Sequence, residues 1–592
     1  MNLHTDVIKV IEGELMRLVD LLLQQLQQAG VQQIFGIPGD FVLPLFAELE
    51  KAKKLPLYYV SHEPSAVFAA DAAARFANQP GAVLLTYGAG ALNAVNAVAQ
   101  AYVEQVPLVI MAGFPSRAEI ERDLHIHHQA KHLDSQRDIY REITCAQVRL
   151  DDIHTAAAEL CRAIQTCQRE SRPVLIEIPR DAACWPLAHA QVAQAIAALH
   201  CQQQGQDPLY QQELQLACDA MLKRLQQAKK PVLLCGIGIR RFAAVPLVEQ
   251  LASRLNVPML TTLLGRACVD QSHPQYAGVF VDRQDSAALA LLADADLIIQ
   301  LGVIQNDSNF AAHQDLFTPE KQLLIQQGEL KMAGVIFHDL PIAALLQQLL
   351  QMPLPEFASR SLQPDSLRSA ACGQTDFRPQ LAEASAQARA EADPQPAFNS
   401  ASALTLIDQL LSQQTKLVPV VSDIGDCLFA SLQVKPTYLL APAYYASMGY
   451  AVPAALGVQA VSGLRPLVLV GDGAFQMTGL ELGHCARYGF APVVLLLNNS
   501  GWQMIKAFAP ELSSTSLQGW NYSAIARGMG GGAYQVWSLS QLESAFEQAL
   551  QDDKRFSLIE VMLPPGSSSA RLQQFAAGFL SAQKQPASLA GC

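Results

Sequence analysis

The chain has 592 residues, of which 50% are hydrophobic and 16% are charged, and its formal net charge is -12 at pH 7. A chain of this length is expected to fold as about three or four domains. The negative net charge argues against nucleic acid as a main partner, and no run of ~20 apolar residues is present that would cross a membrane.

The cysteine pattern and the amino terminus both favour a cytoplasmic protein. Twelve cysteines are scattered without a Cys-x-x-Cys pair, so we expect reduced thiols rather than a disulfide framework or structural zinc. The amino-terminal stretch contains Glu12 and Glu14 and lacks the basic region and apolar core of a secretory signal.

The first 190 residues predict an α/β domain. Leucines at helical spacing predict a helix between residues 13 and 30 that ends at Gly30. Short apolar runs then alternate with helical segments, which is typical of a doubly wound sheet. The predicted strands are Gln33–Ile37, Leu57–Val60, Ala82–Thr86, Leu108–Ala112 and Val174–Ile178.

Two acidic residues follow predicted strands of this domain. Asp40 lies in a Pro-Gly-Asp turn, where an Asp after Gly is commonly an Asx turn. Glu63 comes after Leu57–Val60 and before an Ala-rich helix, Ala66–Ala77, where a Glu in the first turn is stabilised by the helix dipole. Neither residue alone indicates a catalytic site.

Residues 125–132 form a histidine-rich segment. His128 and His132 are four residues apart, a spacing that suits a shared metal ion. No cysteine or acidic helical partner nearby completes a tetrahedral set, so a metal site is not the favoured interpretation. The histidines of the segment are His125, His127, His128 and His132.

The central part of the chain predicts a middle domain between two linkers. Residues 190–212 are rich in Gln and Ala and predict a linker, and the middle domain is expected over residues 205–352. Gly236 and Gly238 follow an apolar strand, but Arg241 takes the place of the third glycine of a dinucleotide fingerprint. A tight strand-to-helix turn is therefore favoured, and no dinucleotide is expected.

Residues 353–400, rich in Pro, Ala, Ser and Gln, predict a second linker. Residues 401–566 predict a third alternating domain, and residues 567–592 a carboxyl-terminal helix over Ser568–Lys584 with a short tail.

The third domain contains a strand–turn–helix–strand unit. The strand Leu467–Val470 leads into a Gly-Asp-Gly-Ala turn, a helical segment Thr478–Tyr488 follows, and a second strand, Val493–Leu497, ends in Asn-Asn. Both strands of such a crossover are parallel, so Asp472 and Asn499 are expected side by side at the carboxyl edge of the sheet.

This arrangement predicts a site for a metal ion and a diphosphate. Glycines flanking an Asp let the backbone approach a phosphate. Carboxylate, amide and carbonyl oxygens are ligands that Mg²⁺ takes together with diphosphate oxygens. Gly-Asp-Gly alone would predict only a capped turn, but Asn-Asn at this separation favours a ligand site.

The Gly-Asp-Gly and Asn-Asn motif resembles the thiamine-diphosphate motif of thiamine-dependent 2-oxo acid decarboxylases. The similarity runs over almost the whole chain and is closest to the phenylpyruvate/indolepyruvate decarboxylase branch. It implies three doubly wound parallel-sheet domains (pyrimidine-binding, middle and diphosphate-binding) with thiamine diphosphate and Mg²⁺ as cofactors. It also implies a homodimer at minimum, with a homotetramer as the expected assembly.

The resemblance also assigns the cofactor contacts. Asp472, Asn499 and the carbonyl of Gly501 correspond to the metal ligands. Glu63, in a pattern that continues with Asp71 and Arg75, corresponds to the acid that activates the aminopyrimidine of a partner subunit's cofactor. The other cofactor-binding positions are Gly425, Asp426, Ala446, Met448, Gly473 and Ala474.

Asp40, His127 and His128 resemble the acid–base groups that bind and protonate the substrate-derived intermediate in this family. One position departs from the pyruvate decarboxylases: they carry a catalytic Glu where this chain has Ile505, and the phenylpyruvate branch also has an aliphatic residue there. Asp307 is then expected to share the proton-donor work. The predicted substrate pocket comprises Thr86, Asp307, Trp502, Met504, Ile505 and Phe579.

The predicted function is non-oxidative decarboxylation of an aryl or other bulky 2-oxo acid to its aldehyde and CO₂. Two alternatives stay open on the sequence. One is a carboligase of the acetolactate-synthase type, and the other is a catalytically silent cofactor-binding paralogue in which Ile505 has removed a needed acid.

Overall fold

The structure, a computed structural model, describes residues 15–202, 208–281, 286–310, 315–358 and 398–584. The chain divides into two compact units. The first comprises Met1–Asp207, Tyr445–Leu464 and Leu480–Phe490, and the second comprises Pro208–Tyr444, Arg465–Gly479 and Ala491–Cys592. Among the described residues, no helix is long and apolar enough to span a membrane.

The first unit is built on a six-stranded parallel sheet. The strands of this unit are β1 (Leu15–Arg17), β2 (Ile34–Gly36), β3 (Leu57–Tyr59), β4 (Gly81–Leu85), β5 (Leu108–Phe114), β6 (Ala146–Arg149), β7 (Val174–Pro179) and β8 (Pro186–Ala188). The sheet order is β3-β2-β4-β5-β7-β6, and β1 pairs with β8 in a separate antiparallel ribbon. The chain reverses its direction of travel across the sheet between β2 and β4, which makes their carboxyl ends a topological switch point.

Helices cover this sheet. Their bounds are Leu18–Gln28, Leu43–Ala52, Glu63–Ala77, Ala89–Asn93, Val95–Val103, Arg117–Ile120, Ser135–Tyr140, Ala156–Glu170, His189–Gln202, Ala451–Ser462 and Cys485–Tyr488. Glu63–Ala77 and Ala451–Ser462 pack against each other, and most of the alanines of both are buried. Small side chains let the two helix backbones approach closely.

The five strands predicted for this domain are confirmed, with ends that shift by one or two residues. The predicted leucine-rich helix begins at Leu18, because Leu15–Arg17 pairs as β1; residues 13 and 14 lie outside the described residues.

The boundary between the two units falls within the linker predicted at residues 190–212, but most of that stretch is helical. Helices His189–Gln202 and Pro208–Gln227 occupy it, and residues 203–207 lie outside the described residues. Gln and Ala are good helix formers, and the second helix buries Leu214, Cys218 and Met221 on one face.

The second unit contains two sheets. Its strands are β9 (Pro231–Cys235), β10 (Met259–Thr262), β11 (Tyr276–Phe280), β12 (Leu297–Leu301), β13 (Gln322–Gln326), β14 (Glu329–Met332), β15 (Val335–His338), β16 (Val420–Ser422), β17 (Leu439–Leu440), β18 (Leu467–Gly471), β19 (Val493–Asn498), β20 (Gly532–Val536) and β21 (Ser557–Met562). The seven-stranded sheet has the order β11-β10-β9-β12-β13-β14-β15, and β14 and β15 join it as an antiparallel hairpin. The six-stranded sheet is parallel, in the order β17-β16-β18-β19-β21-β20.

Helices of the second unit lie at Pro208–Gln227, Gly238–Arg241, Val245–Leu255, Ser286–Asp294, Asp307–Phe310, Ile342–Leu350, Ser400–Ser412, Asp426–Ala430, Asp472–Thr478, Gln503–Phe508, Tyr522–Gly528, Leu539–Gln551 and Ala570–Lys584. Short 3₁₀ helices of this unit lie at Ser431–Gln433 and Ser513–Thr515, and a third, Gly479–His484, belongs to the first unit except for Gly479. The predicted carboxyl-terminal helix is confirmed from Ala570 to Lys584. Most of the predicted linker at 353–400, residues 359–397, lies outside the described residues.

The Gly-x-Gly of the middle domain forms the tight turn that the sequence favoured. The backbone N–H of Gly238 donates to the carbonyl oxygen of Gly302 at 2.9 Å. A Cβ on Gly236 would lie 2.2 Å from that same oxygen. These glycines are therefore required for the ends of β9 and β12 to pack together.

The segment between β18 and β19 differs from its prediction. A helix begins at Asp472 and ends at Thr478, and the predicted helix Thr478–Tyr488 is replaced by the 3₁₀ helix Gly479–His484 and a single α-helical turn. Gly479 and Gly483 have low helix propensity, which accounts for the break.

Candidate active site

In the first unit, Asp40, His127 and His128 lie together. Nε2 of His127 is 2.5 Å from Oδ2 of Asp40, and Nδ1 of His128 is 3.9 Å from Oδ1. Asp40 follows β2 at the switch point of the sheet. The predicted grouping of these three residues is thus present in the fold.

Packing behind the histidines fixes their segment. The ring of His127 stacks on Phe41 with centroids 4.7 Å apart. The backbone N–H of Gly88, a residue in contact with His128, donates to Gln136, and Gln136 donates in turn to the buried Glu177, both at 2.8 Å. In the part of the chain that the structure describes, Asp40, His127 and His128 form a group of possible metal ligands, and His125 and His132 are not part of it.

The charge of Asp40 is set by opposing effects. Partial burial raises the pKa of its carboxyl. The hydrogen bond from His127 and the charges of both imidazoles together lower that pKa by more than burial raises it, so the net pKa is below the ordinary value. Asp40 is therefore ionised at neutral pH and accepts a short hydrogen bond from the imidazole of His127.

Glu63 is the first residue of the helix Glu63–Ala77 and is half-buried. Its Oε2 accepts a hydrogen bond from Nδ2 of Asn93 at 2.6 Å. Sequence reasoning missed Asn93, whose position beside Glu63 depends on the packing of a separate helix. Thr86 directly follows β4, and its side chain packs against Gly39, the residue before Asp40.

Ala446 and Met448 lie on the loop that precedes the helix Ala451–Ser462 in the first unit. Ala446 is exposed and has a backbone φ of 65°, a left-handed conformation that an alanine seldom adopts. Met448 is half-buried. The surroundings of the loop hold Ala446 in this conformation.

In the second unit, Asp472 and Asn499 lie at the same sheet edge, as predicted. They follow β18 and β19, which are neighbouring parallel strands. The backbone N–H of Gly473 donates to Oδ1 of Asp472 at 2.9 Å, and the backbone N–H groups of Ser500 and Gly501 also lower the pKa of this carboxyl. Asp472 is only 1% exposed, and burial outweighs these hydrogen bonds and raises its pKa to about 6.

These residues fit a divalent cation. Oδ2 of Asp472 is buried and has no hydrogen-bond partner among the described residues. Nδ2 of Asn499 donates to the carbonyl oxygen of Ser567 at 3.0 Å, which identifies Oδ1 as its acceptor end. The carbonyl of Gly501 accepts from Gln503 at 3.1 Å and retains a second lone pair. A buried unpartnered carboxylate oxygen together with amide and carbonyl oxygens is a donor set that suits a hard divalent cation.

Gly473 and Ala474, which follow Asp472, begin the helix Asp472–Thr478. A Cβ on Gly473 would lie 2.3 Å from Nε1 of Trp502, so only glycine lets this indole lie against the turn. The sequence predicted Gly473 and Trp502 separately, and the structure brings them into contact.

Asp426 follows Gly425 at the end of β16, and β16 and β18 flank the switch point of their sheet. Its Oδ1 accepts from the backbone N–H of Ser569 at 2.8 Å, and its Oδ2 is buried without a hydrogen-bond partner among the described residues. Burial raises the pKa of Asp426, and its hydrogen bond to Ser569 opposes the rise.

The apolar residues predicted for the substrate pocket lie on two packed helices. Trp502 and Met504 lie at the start of the helix Gln503–Phe508, and Ile505 within it is 51% exposed. This helix packs on Ala570–Lys584, where the ring of Phe579 is 5.7 Å from that of Phe508. Asp307 is the first residue of the helix Asp307–Phe310, which follows β12 of the seven-stranded sheet.

Three family models match the chain. The N-terminal TPP binding domain of thiamine pyrophosphate enzymes matches residues 16–138, and their C-terminal TPP binding domain matches residues 423–561. The central domain of the same enzymes matches residues 218–352. The first two matches contain the two residue groups described above.

Curated relatives align over nearly the full length. Indole-3-pyruvate decarboxylase of Azospirillum brasilense is 37% identical over 95% of this chain and 98% of the relative. Alpha-keto-acid decarboxylase of Mycolicibacterium paratuberculosis is 28% identical, over 92% of this chain and 93% of the relative. Pyruvate decarboxylase of Aspergillus parasiticus is also 28% identical, over 93% and 95%. The chain therefore belongs to the thiamine-diphosphate-dependent 2-oxo acid decarboxylase family.

Proposed function

We propose that this protein converts an aryl or other bulky 2-oxo acid, of the phenylpyruvate or indolepyruvate kind, into the aldehyde and CO₂. The observation that carries the proposal is Ile505, an aliphatic side chain that is 51% exposed on the helix after the metal-binding turn. A substrate ring that is buried against such a surface gains ~1.5 to 3 kcal/mol. The 37% identity to a relative named indole-3-pyruvate decarboxylase supports the same substrate class.

Mg²⁺ is proposed as the metal, with Asp472, Asn499 and the carbonyl of Gly501 as its protein ligands. The support is the donor set itself, which consists of hard oxygens with one buried carboxylate oxygen left unpartnered. A single negative ligand suits a cation that also binds an anionic diphosphate. Gly473 and Ala474 follow the carboxylate ligand and would lie beside that diphosphate.

When bound, thiamine diphosphate supplies the carbon nucleophile and the electron sink that decarboxylation requires. Glu63 would exchange a proton with the pyrimidine ring, and the hydrogen bond from Asn93 would keep its carboxylate oriented. His127 would deliver a proton to the substrate-derived carbon, and Asp40 would hold the imidazole in position. His128 would orient the substrate carboxylate.

The proposed assembly is a homodimer at minimum, and a homotetramer is expected. The support is the family resemblance of Glu63, which in relatives reaches the cofactor of a partner subunit. Sedimentation of the holoprotein measures this directly, and a monomer that retains full activity would contradict it.

The deciding experiment compares kcat/KM for pyruvate, a branched-chain 2-oxo acid, phenylpyruvate and indolepyruvate with thiamine diphosphate and Mg²⁺ present. We expect aldehyde release from an aryl substrate to exceed that from pyruvate at least tenfold. Equal rates would contradict the bulky-substrate proposal. Ligated product from two 2-oxo acids, in place of aldehyde, would favour the carboligase, and no CO₂ release above that of a Glu63→Gln variant would favour a silent paralogue.

A further inference from the structure

A row of polar side chains lies along one face of the helix Val95–Val103 and its carboxyl end. Asn96, Gln100 and Glu104 are spaced four residues apart, so they lie one above another. Gln100 and Glu104 are fully buried. Buried amide and carboxylate groups are costly unless they are hydrogen-bonded, so their partners indicate what they are for.

The partners are on the loop that carries Ala446. Oε1 of Glu104 accepts a hydrogen bond from the backbone N–H of Tyr445 at 2.9 Å. Oε1 of Gln100 accepts one from the backbone N–H of Ser447 at 3.3 Å. The residue between these two amides is Ala446, with its φ of 65°. The helix therefore holds the backbone amides of the two residues on either side of Ala446, and the Ser447 amide belongs to the same peptide group as the Ala446 carbonyl.

A buried charged network fixes Glu104. Its Oε2 is 2.7 Å from Nη1 of Arg75, and Nε of Arg75 is 2.5 Å from Oδ1 of Asp71. The hydroxyl of Tyr450 donates to that same Asp71 oxygen at 2.8 Å. Arg75 and Asp71 lie on the helix that begins at Glu63, so one network joins this helix to both ends of the segment 445–450.

We propose that Glu104 and Gln100 are positioning residues that hold Ala446 in its left-handed conformation and thereby set its carbonyl for the pyrimidine half of thiamine diphosphate. The inference rests on the proposed function, in which Ala446 contacts that half of the cofactor. Binding of the diphosphate half, which is proposed to occur at Asp472, should not depend on Glu104 or Gln100.

Because the two halves of the cofactor are proposed to bind different residues, their binding can be tested separately. Metal-saturated apoprotein is titrated calorimetrically with thiamine diphosphate and, separately, with inorganic pyrophosphate, which lacks the pyrimidine ring. For Glu104→Ala we expect a Kd for thiamine diphosphate at least tenfold higher than native and a Kd for pyrophosphate within twofold. Glu104→Gln retains an acceptor for the Tyr445 amide, so it should stay within about threefold of native for both ligands.

A matched control addresses general destabilisation. Leu160 is fully buried in the core of the same unit and is not part of the network, and Leu160→Ala is expected to lower thermal stability while leaving both Kd values within twofold. If Glu104→Ala fails to fold, the uncharged Gln100→Ala variant is titrated in its place, with at least threefold weaker binding of thiamine diphosphate alone expected.

Native-like binding of thiamine diphosphate by these variants would overturn the inference, as would equal weakening of both ligands or a similar loss in Leu160→Ala. Failure of the native protein itself to bind thiamine diphosphate would instead overturn the proposed function, so the two outcomes are distinguishable.

Discussion

Asp40 and His127 are 87 positions apart in the chain, and a 2.5 Å hydrogen bond joins Oδ2 of the carboxylate to Nε2 of the imidazole. The stacking of His127 on Phe41, the residue next to Asp40, supports the same geometry from a second direction. Because the pKa of Asp40 is held below its ordinary value, the pair consists of an ionised carboxylate and an imidazole that it orients.

Replacing Asp40 tests the role of this pair. Asp40→Asn keeps the shape of the side chain but removes the charge that orients His127, and we expect kcat to fall by about a hundredfold, which is within the usual range for general acid–base catalysis. The Kd for thiamine diphosphate should change less than threefold. Asp138→Asn is the matched control, since Asp138 lies 3.7 Å from His132 outside the cluster, and it should retain activity. Equal losses in the two variants would contradict the assignment.

Asp472 gives a prediction for the metal-free protein. Burial raises its pKa from 3.8 to about 6, so the folded state binds this proton more tightly than the unfolded state does. The stability that this proton contributes is complete below about pH 4 and is lost as pH rises through about 6. At neutral pH the resulting loss in the free energy of unfolding is on the order of 2 to 3 kcal/mol.

Asp472→Asn should therefore raise the thermal unfolding midpoint of chelator-treated protein at pH 7.5, and the gain should vanish near pH 4. The same variant should lose Mg²⁺-dependent binding of thiamine diphosphate. A lower midpoint for the variant at pH 7.5 without metal would show that the buried carboxylate is already compensated inside the protein.

Ile505 tests the substrate class. A carboxylate at this position would have to be desolvated when an aryl group packs against it, so Ile505→Glu should lower kcat/KM for phenylpyruvate at least tenfold more than kcat/KM for pyruvate. Ile505→Leu conserves volume and polarity and should stay within threefold of native for both substrates. If Ile505→Glu lowers both values by the same factor, the residue does not select the substrate.

The carboxyl ends of the strands could be predicted from the sequence because each end is marked by residues next to it in the chain. Apolar runs that end in Gly or Asn mark the ends of β18 and β19, and parallel pairing then requires Asp472 and Asn499 to be neighbours. Composition was a poorer guide at residues 190–212, where Gln and Ala suit an exposed linker and a helix equally well.

Contacts between distant segments had no local signal. Asp40 and His127 were grouped only through the family resemblance, and the hydrogen bond that the Tyr445 amide donates to Glu104 spans 341 positions. One clue was present in the sequence: Gln100 and Glu104 are polar residues four apart in an otherwise Ala- and Val-rich helix. That pattern indicates a buried polar face but does not identify its partner.

Asn93 provides the last prediction, because among the described residues it is the one side chain that donates a hydrogen bond to the Glu63 carboxylate. Glu63→Gln should leave only a small but measurable residual rate of CO₂ release while thiamine diphosphate still binds. Asn93→Ala leaves the carboxylate in place but free to rotate, so kcat should fall about tenfold, the loss of one well-placed hydrogen bond to a charged group.

The two effects should not add. If Asn93 acts only by orienting Glu63, then Asn93→Ala placed in the Glu63→Gln background should change neither residual turnover nor cofactor affinity by more than about twofold, because the group that it orients is already gone. A further tenfold loss in the double variant would mean that Asn93 contacts the substrate or cofactor itself. The comparison of single and double variants therefore separates an orienting role from a direct one.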